Sequence, residues 1–554
     1  MKRLDSELKR DGHGGIKAIG VLGIDVYDKL LVLQALRPRF PGVVFFTTDL
    51  DASLLHPKEF EWTHNLVIAS NFGLELHPDL QEQVLPFRDT YQTSFFFSTL
   101  IALSNREDCL GQEFFDVCLK QPRIYEVGRS GAFDISIRKE GGEDKRCLEC
   151  LPVSGLTSIH PQQAFPNPYK MVPIGLVAVL FLCLYSQSYK GIPWPHLALM
   201  AFTVLGAVVF AVIIFNQLDG GEPVALFEGV SLWPTEFLRF LAGVLALWFL
   251  FRGCRNLRDG NKEVDDYLGG VNTRKCKVES GINAAELWES YRKESAPKRR
   301  FLRRVIPLAI VHFGLCALII YTFGPPVAPY RGLMSFIVDM AVLLMLAVPS
   351  LIVLIFLVLD ATKLSVRFIR DLSEEKVVWP KYIVDKFVGK LKMDARYLNE
   401  WISIQVIARH TEAVGNLIYY PFVVIILMLI SRSSYFDTWH LPLGLFVVIM
   451  LALAYSIYCA IILRRSAEQA RQKAIERLQI HQIYAKGQKE TGENVSEGRK
   501  EERTDESEQI ALLINSIHTI RRGAFASFSH QPFVRALALF FGSGGSILLL
   551  EYLR

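Results

Sequence analysis

The residues that could do chemistry are few and far apart. Cys147-Leu148-Glu149-Cys150 is a C-x-x-C pair. In a redox enzyme such a pair opens a helix after a strand, where a lowered thiol pKa makes it reactive. Here it follows the polar run Gly-Gly-Glu-Asp-Lys-Arg at 141–146, without a thioredoxin-like pattern, and no second pair completes a zinc site. His312 and Asp339 are ionisable residues within long apolar runs, where burial of a charge raises a functional question by default. There is no Walker A loop, no H-E-x-x-H, no G-x-S-x-G and no dinucleotide G-x-G-x-x-G in strand–helix context. The sequence thus offers no catalytic residue, no metal set and no cofactor motif, and the expectation is a protein that is not an enzyme.

The elements that must position these residues are mostly apolar helices. Leu333 to Leu359 is a run of 27 residues whose one formal charge is Asp339. About 20 apolar residues cross the ~30 Å hydrocarbon core, and in lipid only a helix satisfies its own backbone in an open chain. Seven further apolar segments lie at about 170–187, 197–216, 235–251, 305–323, 413–431, 441–463 and 533–550. The last carries Gly542, Gly544 and Gly545 and could equally be a packed or re-entrant helix, so the expectation is an all-α polytopic bundle of 7–8 helices. The composition, 51% hydrophobic and 21% charged, fits a membrane bundle joined to soluble parts. The net charge of +5 over 554 residues does not suggest a nucleic-acid partner; the partner implied is the lipid bilayer, and an oligomer is compatible with it.

Basic residues set the expected orientation. Loop 252–304 holds fourteen Lys and Arg and loop 360–412 holds ten, whereas 217–234 holds none, 324–332 only Arg331 and 432–440 only Arg432. This places a basic loop at 252–304, an amphipathic loop at 360–412 and a charged segment at 464–532 in the cytoplasm. The spans then group as 169–251, 305–359 and 413–463, with 533–554 as a C-terminal apolar helix. Counting back puts residues 1–168 outside an inner, multi-pass cell membrane. At 1.5 Å per residue His312 lies about 12 Å from the cytoplasmic end of its helix and Asp339 about 9 Å from the outer end of its own, so the two should not touch. Pro349 should kink the long helix. Tyr419, Tyr420, Trp194, Trp233 and Trp439 sit near span ends, as interfacial anchors do. In the last cytoplasmic segment Glu468 and Arg471 can pair, 490–508 reads as disordered, and Ile510, Leu513, Ile514 and Ile517 mark one face of an amphipathic helix.

Residues 1–168 read as soluble α/β. Strands at 17–22, 43–47 and 66–70 alternate with helices at 26–36 and 88–104, an order that implies a parallel sheet, with 132–137 as an edge strand. Ligands of open α/β sheets bind beyond the carboxyl ends of the strands. That position singles out Asp25 and Tyr27, Thr48 and Asp49, and Ser70 and Asn71. The plain alternative is that Asp25 caps a helix and Thr48 and Asp49 make a turn. If this module is outside, Cys109, Cys118, Cys147 and Cys150 are even in number and could form disulfides.

The runs AIGVLGIDVYDKLLVLQALR, FPGVVFFTTDLDA, NLVIASNFG and FRDTYQTSFFFSTLIAL give residues 15–140 a resemblance to the second lobe of type I periplasmic-binding proteins, the fold shared with receptor ligand-binding domains. The resemblance implies half of that fold, adds Tyr91 to the ligand-facing residues, and implies a small-molecule ligand or an upstream partner lobe. Only one lobe is visible and no signal peptide precedes it, so the expectation is that Met1 is not the natural start. The function expected is a sensor or receptor, in which binding outside biases the membrane bundle. The alternative is a solute transporter or channel component with a binding-protein-like module.

Overall fold

A computed structural model of the chain describes residues 16–40, 43–76, 78–81, 83–104, 122–136, 156–157, 228–270, 281–323, 333–374, 377–391, 393–432, 443–490 and 497–526. These fall into two compact units. The first takes residues from 1–241, 326–343 and 430–441, the second those from 242–325, 344–429 and 442–554.

The first unit holds a six-stranded sheet of strands in consecutive order. These are β1 (Ala18–Gly20), β2 (Val44–Thr48), β3 (Val67–Ser70), β4 (Arg123–Val127), β5 (Ala132–Asp134) and β6 (Leu156–Thr157). Helix α1 (Val26–Leu36) joins β1 to β2, and α2 (Thr90–Ser104) follows β3. In β2 the side chains alternate, with Phe45 and Thr47 buried and Val44, Phe46 and Thr48 exposed, as a pleated strand requires. Leu33, Leu50, Leu54, Leu66, Ile68 and Val127 form the core beneath.

The sheet differs from the parallel one expected. β1, β2 and β3 are parallel, but β4 runs antiparallel to β3, β5 to β4 and β6 to β5. Between β4 and β5 a turn is closed by Gly128 N–H donating to Gly131 O at 2.8 Å, and a connection that short allows only antiparallel pairing. β5 is internal rather than an edge strand. β4 escaped the sequence reading because Arg123 and Glu126 interrupt its apolar content.

Five described helices are long and apolar enough to cross a membrane. They are α3 (Trp233–Leu268), α5 (Pro297–Phe323), α6 (Ser335–Leu372), α8 (Ala395–Ile430) and α9 (Leu443–Glu490). They coincide with five of the eight expected segments; 170–187, 197–216 and 533–550 lie outside the described residues. Shorter helices of the second unit include α4 (Ala284–Glu294), α7 (Lys381–Leu391) and α10 (Glu497–Thr519).

The long helices run on past their apolar parts. The stretch 252–268, expected as loop, is helical because Leu257, Val264 and Leu268 recur on one face and are buried. Residues 497–508, read as disordered, belong to α10, whose Glu, Lys and Arg are good helix formers. Ile510, Leu513 and Ile517 are buried in the core of the second unit, so this face packs within the chain. Pro349 follows a π-helical stretch, Val342–Ala347, which takes up the irregularity that a helix-interior proline imposes. Trp233 is buried, and Tyr420 stacks on Phe249 at 4.3 Å and accepts a hydrogen bond from Asn256 Nδ2 at 2.8 Å. Trp233 is thus packed within the protein, and Tyr420 is half-buried against α3.

Candidate functional site

Because β1, β2 and β3 are parallel, their carboxyl ends lie along one edge, and the expected ligand-facing residues gather there. Asp25 caps α1, its Oδ1 accepting from Tyr27 N–H at 2.8 Å. Ser70 Oγ donates to Phe72 O at 2.9 Å. Asp49 takes a left-handed backbone, φ 61°, and its N–H donates to Ala69 O at 3.2 Å. Thr48, Asp49 and Asn71 are exposed, as are Tyr27 and, at 81%, Tyr91. The strand order does not reverse among β1–β3, so these strands build no crevice at a topological switch point. Sequence reasoning missed Lys29, which is buried and donates from Nζ to Thr48 O at 2.8 Å. Its signal was position: Val26, Lys29, Leu30 and Leu33 share the core-facing stripe of α1.

A second group stands where an apolar helix begins. Glu236 and Arg239 lie three residues apart on α3, and Arg239 Nη1 donates to Glu236 Oε1 at 2.7 Å and to Asp339 Oδ1 of α6. All three side chains are at most 2% exposed. Two carboxylates therefore share one guanidinium, and Glu236 Oε2 receives no hydrogen bond among the described residues. Asp339 was singled out from the sequence, and its two partners were not.

The second unit carries an inverse cluster. Asp360 ends the apolar part of α6 and pairs with Arg300 Nε at 2.9 Å and Arg304 Nε at 2.6 Å. Arg304 Nη2 also donates to Glu294 O at 2.7 Å. Nearby in the same core Ser365 Oγ lies 2.9 Å from His410 Nε2 and donates to Ala361 O at 2.8 Å. The His410 ring meets Trp288, Tyr291 and Phe368 edge-on. Burial pushes the Tyr291 phenol above its usual range, against the pull of Arg300. A Ser–His pair suggests nucleophilic chemistry, but Ser365, His410 and Trp288 are at most 1% exposed, which leaves no route for a substrate. The pair is a satisfied core network. His312 lies 3.4 Å from Cys316 Sγ one turn along α5, among Phe356 and Tyr455.

Cys109, Cys118, Cys147 and Cys150 lie outside the described residues. Among the described residues no three His, Cys, Asp or Glu side chains are placed to hold a metal ion. No protein-family model matches the chain, and no curated protein matches it either.

Proposed function

We propose that the chain is a multi-pass membrane sensor, in which ligand or partner binding at the α/β module biases the packing of the membrane helices and the basic-side helices report it. One observation carries this reading. In the second unit α6, α8 and α9 each continue without a break from an apolar stretch into a packed, charged bundle. A single core joins Phe356 and Leu357 of the apolar part to Phe368, Leu372, Tyr397 and Leu478 beyond it. Packed cores have discrete arrangements rather than continuous ones, so a shift of one helix in the membrane is transmitted to that bundle. On the module, exposed Thr48, Asp49 and Asn71 at the strand ends and Tyr27 and Tyr91 in the first turns of α1 and α2 are the surface offered to a ligand or an upstream lobe.

The test is the side on which the module sits. Ser98 of α2 and Lys262 of α3 are exposed. Ser98→Cys and Lys262→Cys, each in a background free of native cysteines, would be treated in intact cells with a membrane-impermeant thiol reagent. Labelling of Ser98→Cys alone is expected. Protection of Ser98→Cys until lysis would overturn an external sensing module.

The transporter reading keeps one favouring observation: the π-helical stretch Val342–Ala347 starts three residues after the buried Asp339, and π-turns recur at functional sites. It requires solute or ion flux in proteoliposomes that Asp339→Asn abolishes.

A further inference from the structure

Beyond the apolar part of α6, three cations recur on one exposed face. Lys363, Arg367 and Arg370 follow one another at four- and three-residue spacing, the spacing of neighbours on a helix surface. They line a groove of about 240 Å³ between α6 and α9, whose apolar wall includes Leu359, Tyr458 and Ile462. The acidic groups nearby do not neutralise it. Arg367 and Arg370 each lie 3.8 Å from Asp371, Arg367 lies 4.0 Å from Glu294, and both arginines are at least 65% exposed. Pairs so long and so exposed are weak. Lys363 carries no ion pair among the described residues.

We propose that this groove holds one anionic phospholipid, its phosphate on Lys363, Arg367 and Arg370 and an acyl chain along Leu359, Tyr458 and Ile462. The dimensions fit. Lys363 to Arg370 covers about 10 Å at the helical rise, enough to reach across the roughly 5–7 Å headgroup layer on one side of the ~30 Å hydrocarbon core. Leu359 is the last residue of the apolar run, so the apolar end of the groove meets the acyl layer and the cationic end the headgroups. Guanidinium groups match phosphate oxygens in planar, two-point geometry, and cations just outside an apolar span attract acidic lipid. On α9 Arg465 is exposed and follows Tyr458 and Ile462 at the same helical spacing, adding a fourth cation to that side. The occupant is a lipid rather than free phosphate because half of the wall is apolar. The inference stands on the groove and does not depend on the sensing role.

The experiment uses the full chain, purified in a neutral detergent and equilibrated with equal amounts of phosphatidylglycerol and phosphatidylcholine. Native mass spectrometry counts the lipid retained. The expected result is one phosphatidylglycerol bound in about tenfold preference. Lys363→Gln/Arg367→Gln/Arg370→Gln should reduce that to within about twofold, and the charge-keeping Arg367→Lys/Arg370→Lys should hold most of it. A control with equal charge loss elsewhere, Lys262→Gln/Lys293→Gln/Lys298→Gln, should bind as the parent does. Equal loss in the control would show a general charge effect and overturn the site. Retention by the groove variant would overturn it too. Displacement of the lipid by millimolar inorganic phosphate would replace the lipid by a soluble anion and overturn the proposed occupant.

Discussion

Arg239 is shared by two buried carboxylates. Its Nη1 serves Glu236 and Asp339 together, and none of the three reaches water. Removing one member of a buried ionic group costs more than removing the group, because the remaining charge keeps its desolvation penalty. Arg239→Leu should therefore cost about 3–5 kcal/mol of stability. Asp339→Asn keeps the Glu236–Arg239 pair and should cost about 1–2 kcal/mol. The triple change Glu236→Gln/Arg239→Leu/Asp339→Asn should recover much of the single Arg239 loss. Thermal unfolding in detergent, followed by circular dichroism, ranks the three; an Arg239→Leu protein no weaker than Asp339→Asn would contradict the shared-guanidinium account. Asp339 was legible as the one charge in a 27-residue apolar run. Glu236 and Arg239 were not, because a span drawn from 235 makes them look like flanking residues. Depth would have found them: Arg239 is about 6 Å and Asp339 about 9 Å from the starts of their apolar segments, and those two ends share the loops poor in Lys and Arg.

Whole helices were easier to read than their ends. The apolar segments at 235–251, 305–323, 333–359, 413–431 and 441–463 each became a helix, since nothing but hydrophobicity is needed to mark them. Within α6, residues 340–359 carry no charge and cover about 30 Å at the helical rise, a length that matches one hydrocarbon thickness. Past Asp360 the signal narrows to a stripe on a charged helix, and there the reading failed. Seating of the C-terminal part of α10 was half legible. Ile510, Leu513 and Ile517 announced a buried face, but the lock that follows is made by backbone. Gly523 has φ +59°, and a Cβ there would stand 2.2 Å from Ala408 O and 2.5 Å from Thr411 Oγ1. That approach lets Ala524 N–H donate to Thr411 Oγ1 at 3.0 Å, while Arg522 pairs with Glu412 and, at 2.8 Å, with Glu263. Gly523→Ala should cost roughly 2–4 kcal/mol and release the segment. Limited trypsin digestion should then cut after Arg521 several-fold faster than in the parent. An unchanged cutting rate would mean that Gly523 does not fix the segment.

At the scale of the molecule, polar contacts within the first unit tie the sheet to the segment that leads into α3. Asn65, in a left-handed backbone, donates from Nδ2 to Glu126 Oε1 at 2.6 Å and to Gly229 O at 2.9 Å. His64 Nε2 lies 3.0 Å from the same carbonyl, and Ser130 N–H donates to Glu228 Oε2 at 2.6 Å. Residues 228–230 thus sit against β4 and its turn, a few residues before α3 begins. No sequence pattern announces this joint, since it links positions more than 160 apart through single polar contacts. It should also respond to pH. Burial holds the His64 imidazole down to about 4; the Gly229 carbonyl and Glu126 pull upward, and Arg129 and Arg37 oppose them. An undocked histidine titrates near its ordinary value of about 6.5. Between those values the undocked state binds more protons, so the docked state is fully favoured above pH 6.5 and loses stability as the pH falls toward 4. The whole loss is on the order of 3 kcal/mol. Gln at position 64 can donate to Gly229 O without ionising. Hydrogen exchange of the 228–232 amides should therefore accelerate, beyond its intrinsic pH dependence, from pH 6.5 to 4 in the parent but not in His64→Gln. If both proteins change alike, the joint is governed by groups other than His64.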